Sequence, residues 1–338
     1  MRGACRTFGL TDRIVQKYFH GLKGIYFLIE QEAPRVDLVK RIVDDFFKES
    51  IEIERVRKGS STYVYRIKVR SKTYYLRICP EQNASFAVEV KVHENLIKAG
   101  VNVPKIVHFE QKNELTGHSI MIMEEILGSD MEANGFHMTG HPEQVLLHAG
   151  KQIALINQVE VDGFGEIRRD VCVQLAGEFK TFREYYYENL WKDISVLSNY
   201  NFDNQEREAI KDFLDTGFRL MDNQGSHLVH GDFDLSHIFH SNGKYTGIID
   251  FGDIKGSGLL YDLGHFKAHD AIGATEMLLN GYNEIHRLTP QDYLVITLWA
   301  LFVGVRRLGM IYNRPRNSYH HHLTDAVKTL STELNQMV

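Results

Sequence analysis

The chain has 338 residues, 43% of them hydrophobic and 25% charged, with a formal net charge of −5. That length accommodates two domains or one large two-lobed domain, and that composition excludes disorder as the main state. Cys5, Cys79 and Cys172 are odd in number, far apart and without Cys-x-x-Cys spacing, which excludes a disulfide framework and fits free thiols in a reducing compartment.

The charge is unevenly spread. Residues 1–128 carry 21 Lys and Arg against 16 Asp and Glu, whereas the remainder carries 18 against 28. A positive first part suits a polyphosphate, and an acidic second part suits a cationic ligand. No basic stripe interleaved with aromatics stands out, so nucleic acid is not an expected partner. No apolar run approaches the roughly 20 residues of a membrane span, and Arg6, Asp12, Arg13 and Lys17 interrupt the first thirty residues where a secretory signal would be apolar. The expectation is a cytoplasmic protein without a membrane partner.

Residues 1–35 read as an extension with a helix around Asp12–Glu30. Leu38, Val39, Ile42, Val43, Phe46 and Phe47 recur at helical spacing and predict an amphipathic helix over 36–48. Thr62–Val69 and Thr73–Cys79 are β-rich runs around Ser71-Lys72, so they predict a hairpin. A helix follows over Phe86–Ala99 with Gly100 as its stop, then strands over Lys105–Glu110 and His118–Glu124. Beyond Gly128 helices dominate, over Gln144–Val159, Phe182–Leu197, Gln205–Met221, an apolar Tyr293–Leu308 and His322–Leu334. The β-like segments here are Ser226–Val229, Ile238–His240 and Thr246–Ile249.

The chemistry concentrates in residues 228–253. Asp232 and Asp250 close two apolar runs, and His237 lies five residues past the first. Phosphoryl transfer from a nucleotide needs one carboxylate facing the acceptor hydroxyl and hard ligands holding Mg²⁺ against the phosphates. Glycine in His230-Gly231-Asp232 permits a tight backbone approach before the carboxylate. His227, His230, His237 and His240 invite a zinc reading, which the carboxylates at this spacing count against. His320-His321-His322 is expected to be a solvated patch.

At these residues the chain resembles the aminoglycoside phosphotransferase family of the protein-kinase-like fold. That family's signature is His-Gly-Asp, then Asn or His five residues after the Asp, then Ile-Asp-Phe/Trp-Gly-Asp and Tyr-Asp-Leu. Here these stand as His230–Asp232, His237, Ile249–Asp253 and Tyr261-Asp262-Leu263. The resemblance covers about residues 50–335. It implies an α+β, two-lobed fold: a nucleotide-binding lobe over 36–126 with an antiparallel sheet and one main helix, and a mostly helical catalytic and substrate lobe over 127–338. It makes Asp232 the catalytic carboxylate, His237 and Asp250 the Mg²⁺ ligands, and His230 and Asp262 structural supports of the loop.

In the first lobe, Gly59-Ser60-Ser61 resembles the phosphate-covering loop, Arg77 matches the phosphate-contacting cation, and Glu89 matches the helix glutamate that pairs with it. Met123-Glu124-Glu125-Ile126 resembles the hinge, where the backbone of Glu124 and Ile126 would bind the purine. His237 in place of Asn is similar to macrolide and 2″-aminoglycoside kinases, so the co-substrate is ATP or GTP. Ser257-Gly258-Leu259 departs from the family's Gly-Asp-Pro. The acidic second lobe makes Glu184, Glu188 and Asp270 candidates for contact with a cationic acceptor. The implied activity is phosphoryl transfer to the alcohol group of an aminoglycoside- or macrolide-like molecule. A metabolic kinase of the same fold and a non-catalytic nucleotide-binding module are the alternatives.

Overall fold

The structure, a computed structural model, describes residues 33–56, 62–81, 84–132, 141–169, 174–222 and 225–337. Gly59, Ser60, Ser61, Cys5, Cys172 and the helix expected around Asp12–Glu30 lie outside the described residues.

Helix α1 (Val36–Phe47) buries Val39, Ile42 and Val43, the stripe its periodicity marks. Strands β1 (Ile51–Val56), β2 (Tyr63–Val69), β3 (Lys72–Ile78), β4 (Ile106–Glu110) and β5 (Ile120–Glu124) form one antiparallel sheet in the order β1-β2-β3-β5-β4. The strand β1 has no counterpart in the sequence reading, because Ile51 and Ile53 alternating with Glu52 and Glu54 give only two apolar positions. Strand alternation sends Tyr65, Ile67, Leu76, Ile78, Ile120 and Ile122 into the cluster that includes Val39, Ile42 and Val43 of α1. The opposite face carries Met121 and Met123, packed with Cys79 and Phe86. Helix α2 (Ala87–Lys98) buries Val88, Val92 and Leu96 in the large core shared with the second lobe.

The chain then crosses over through β6 (Ser129–Asp130), which pairs with β10 (Ile238–Ser241), itself paired with β11 (Lys244–Ile248). Between them lie α3 (Pro142–Ile156), β7 (Phe164–Ile167), β8 (Gly177–Phe179), α4 (Phe182–Tyr187), α5 (Leu190–Val196), α6 (Asn204–Asp222) and β9 (His227–Val229). Strand β12 (Lys255–Ser257) and helices α7 (Tyr261–His269), α8 (Thr275–Asn283), α9 (Pro290–Ile311) and α10 (Ser318–Met337) complete it. The result is the expected α+β, two-lobed arrangement, a sheet lobe on a mostly helical one.

Four differences have physical reasons. A sheet β8-β7-β12-β9 was not foreseen, since its strands are three or four residues long and show no usable alternation. The single helix expected over 182–197 is two, α4 and α5, separated at Glu188–Asn189. His320 is only 3% exposed and joins Asn317 and the Ile311 carbonyl, so the histidine triplet is not a wholly solvated patch. Helix α9 has the length and composition of a membrane span, against the expectation of none, yet 78% of its most apolar window is buried inside the fold. It is the central core helix, where Trp299 and Phe302 pack on Phe182, Tyr186 and Tyr261.

Candidate active site

Strand β9 delivers His230-Gly231-Asp232 into a tightly pinned loop. Gly231 has φ +85°, and an added Cβ there would lie 2.0 Å from the Asp253 carbonyl oxygen, so no other residue fits. The Asp262 carboxylate, in the first turn of α7, accepts from the backbone N–H of His230 (2.8 Å) and Gly231 (3.0 Å). His230 donates from Nε2 to the Ile249 carbonyl (2.8 Å), which leaves Nδ1 to accept from the Asp232 N–H (3.4 Å). Burial, then the neighbouring His237, holds the His230 imidazole below its usual pKa, in keeping with that neutral tautomer. The supporting roles expected of His230 and Asp262 are therefore visible as hydrogen bonds.

Asp232 projects from this loop beside two residues the sequence reading missed. Its Oδ1 accepts from Nη2 of Arg307 on α9, and Nε2 of His265 on α7 lies 3.4 Å away. Burial pushes the Asp232 carboxyl up, but the opposing pull, led by the Arg307 guanidinium, holds the group well below the usual carboxylate range. Lys255 donates to the Gly231 carbonyl (3.4 Å) and adds another cation at this end.

His237 and Asp250 meet as expected. His237 Nδ1 donates to the Asp232 carbonyl (2.6 Å), so its Nε2 presents a lone pair, 3.9 Å from Asp250 Oδ2. Two electron-pair donors facing each other across a gap wider than a hydrogen bond leave room for a cation between them. Among the described residues no third His, Cys, Asp or Glu completes a cluster. That fits Mg²⁺, which takes further ligands from phosphate and water, and does not fit a zinc site closed by protein. Asp250 itself sits in the left-handed region, with φ 66° and ψ 64°, a conformation kept where a fold enforces it.

Arg77 on β3 reaches Glu89 on α2 (Nη1 to Oε2, 2.7 Å), the pair the resemblance implies. Burial works against the Arg77 charge, but Glu89 and Asp250 more than restore it. An unforeseen residue, Arg169, donates to Glu89 Oε1 (3.2 Å) and to the Gly252 carbonyl (2.8 Å), tying α2 to the turn after Asp250. Beside them burial pushes the Cys79 thiol up to about 12, which makes it inert.

At the crossover, the Glu124 N–H donates to the Lys105 carbonyl (2.9 Å) and Thr246 donates to the Leu127 carbonyl (2.7 Å), so the segment holding Ile126 is fastened at both ends. The acceptor candidates fare differently. Glu184 is the return partner of a capping box on Thr181, and Asp270 accepts from the Thr275 N–H (2.7 Å) and hydroxyl (2.6 Å) to cap α8. Both carboxylates serve helix ends, while Glu188 is exposed at the end of α4.

The phosphotransferase enzyme family model matches residues 52–293, well over half of the chain. The chain belongs to that family. Solved structures agree in fold. Aminoglycoside phosphotransferase APH(4)-Ia superposes with a TM-score of 0.66 at 15% identity, over 88% of this chain and 99% of that one. The GDP complex of aminoglycoside 2'-phosphotransferase-IIIa gives 0.60 at 16% identity, over 89% and 99%. A candidate fructosamine-3-kinase from Haemophilus somnus 129PT gives 0.58 at 14% identity, over 88% and 96%. Ternary complexes of an APH(4)-Ia mutant hold ADP or AMP-PNP with hygromycin B. A search of curated protein sequences returns no significant match. This chain carries His237 at the signature position, and Arg307, His265 and Arg169 stand in the same cleft.

Proposed function

We propose that this phosphotransferase moves the γ-phosphoryl group of ATP or GTP to an alcohol group of a small molecule. The observation that carries the reading is the facing pair of lone-pair donors, His237 Nε2 and Asp250, set on the loop that bears Asp232. His237 and Asp250 would hold Mg²⁺, which would supply neutralisation of phosphate charge. Arg77, fixed by Glu89, offers a permanent cation to the same phosphates. By the resemblance, Gly59, Ser60 and Ser61 would cover them, and the backbone of Glu124 and Ile126 would take the purine. Asp232 accepts a hydrogen bond from the acceptor hydroxyl and sets its oxygen in line with phosphorus. Its lowered basicity suits a loose transition state, in which positioning matters more than early proton removal.

The first acceptors to test are aminoglycoside- and macrolide-like, given the acidic second lobe and the hygromycin B and kanamycin complexes of the neighbours. A metabolic kinase is the second reading. It is favoured by Arg307 and Lys255 beside Asp232, by the capping duty of Glu184 and Asp270, and by the fructosamine-3-kinase neighbour. Both readings place the enzyme in the cytoplasm, where ATP and GTP are supplied. The test is a screen of antibiotics, amino-sugars and hydroxylated metabolites for stimulated consumption of Mg·ATP and Mg·GTP, with Asp232→Asn as control. Stimulation by one acceptor class, abolished in that variant, is the expected result. Full turnover by the Asp232→Asn protein would overturn the reading.

A further inference from the structure

We propose that Arg307 is a positioning residue for the catalytic carboxylate, acting through Asp232; the proposal rests on the kinase reading above. Helix α9 is an apolar core helix, and a guanidinium persists in such a place only where acceptors meet it. Arg307 Nη2 meets two: Asp232 Oδ1 and, at 3.1 Å, His265 Nε2.

The second contact is the informative one. His265 donates from Nδ1 to the Phe233 carbonyl (2.9 Å), so its Nε2 carries a lone pair and accepts from the arginine. The ring is fully buried and stacks on His269 with centroids 4.3 Å apart and planes 17° apart. His269 is fixed in turn, donating from Nδ1 to the His265 carbonyl (2.8 Å) and accepting from the Tyr319 hydroxyl (2.9 Å). Elements α7, α9 and α10 thus converge to hold one guanidinium against one carboxylate oxygen. Among the described residues no hydrogen bond reaches the other oxygen, Oδ2. A carboxylate anchored by a charged hydrogen bond at Oδ1 cannot rotate without losing it, so Oδ2 is presented to the acceptor hydroxyl in a fixed orientation. A side chain that served only to neutralise charge would need no such chain of aromatic rings behind it.

The test uses the full chain and needs no identified acceptor: hydrolysis of Mg·ATP, with water as the probe acceptor, by wild type, Asp232→Asn, Arg307→Met and the double variant. Thermal melts and ATP titrations accompany each. Arg307→Met should lower kcat by roughly tenfold to a hundredfold while the KM for ATP stays unchanged. The double variant should be no slower than Asp232→Asn alone, because Arg307 has nothing to orient once the carboxylate is gone. Arg307→Lys, which keeps the charge without the fork, should recover part of the loss. If Arg307→Met misfolds, the same cycle run with Arg307→Lys decides the matter. Wild-type kcat in the Arg307 variant, or losses that multiply in the double variant, would overturn the proposal and leave the kinase reading standing. Wild-type hydrolysis by Asp232→Asn would overturn the kinase reading itself, and this inference with it.

Discussion

Arg169 lies 3.2 Å from Glu89, and through that contact a single buried carboxylate serves two guanidinium groups. Glu89 is 1% exposed, with Arg77 on one oxygen and Arg169 on the other. The three charges leave a net positive unit in the cleft, where a lone Arg77–Glu89 pair would leave none. Arg169 also grips the Gly252 carbonyl, so the helix of one lobe and the turn after Asp250 in the other share a clamp.

Replacing Arg169 with Met should therefore weaken nucleotide binding. We expect roughly a tenfold rise in Kd for Mg·ATP, with a change of less than about 1 kcal/mol in stability, since the side chain is partly exposed. Titration with a fluorescent nucleotide analogue reads this directly. An unchanged Kd would show the clamp to be incidental.

The catalytic loop should be brittle at two points. Asp262→Asn turns one acceptor oxygen into a donor facing a buried N–H, which costs about 1–3 kcal/mol. Gly231→Ala combines a positive φ with a Cβ inside contact distance of Asp253, and should cost about 3 kcal/mol or more. Urea unfolding measures both, and a shift below about 0.5 kcal/mol in either would contradict the loop geometry.

Asp250→Asn should separate metal binding from folding. Asn tolerates the left-handed conformation as well as Asp, so stability should move by no more than about 0.5 kcal/mol. Nucleotide affinity measured with and without Mg²⁺ should lose its dependence on the ion. Retained enhancement by Mg²⁺ would move the metal ligand elsewhere.

Stability should fall on mild acidification. Burial holds His93 and His269 below their usual pKa in the folded protein. Between that lowered value and about 6.5 the unfolded chain binds more protons, so stability is complete above 6.5 and is lost as pH falls through this window. Urea midpoints taken from pH 8 downward check the sign, and His269→Gln should flatten the slope. A slope that the substitution leaves untouched would assign the effect to other groups.

What the sequence disclosed follows from how locally each feature is encoded. His230, Asp232, His237 and Asp250 fall within 21 residues, and the turn between their strands is short, so spacing alone brought them together. Arg77 and Glu89 were legible only through the family resemblance, since each alone reads as an ordinary surface charge. Arg307 was not, because it joins Asp232 from 75 positions away, although a charged pair, Arg306-Arg307, inside an apolar helix was an anomaly in plain view. Arg169 and His265 carried no signal of their own. Helix α7 escaped notice because seven of its nine residues are buried, which erases the amphipathic period. Glu184 and Asp270 serve helix ends, a duty that acidic residues near a helix start commonly take and that composition alone does not reveal.

The placement of Arg307 on α9 also sets an order of assembly. During synthesis the sheet lobe, Asp232, His237 and Asp250 all emerge before Pro290, so every residue assigned to nucleotide and metal precedes the arrival of the guanidinium. Because α9 packs at the centre of the second lobe, the core around the Asp232 loop and the Arg307–Asp232 contact are completed together.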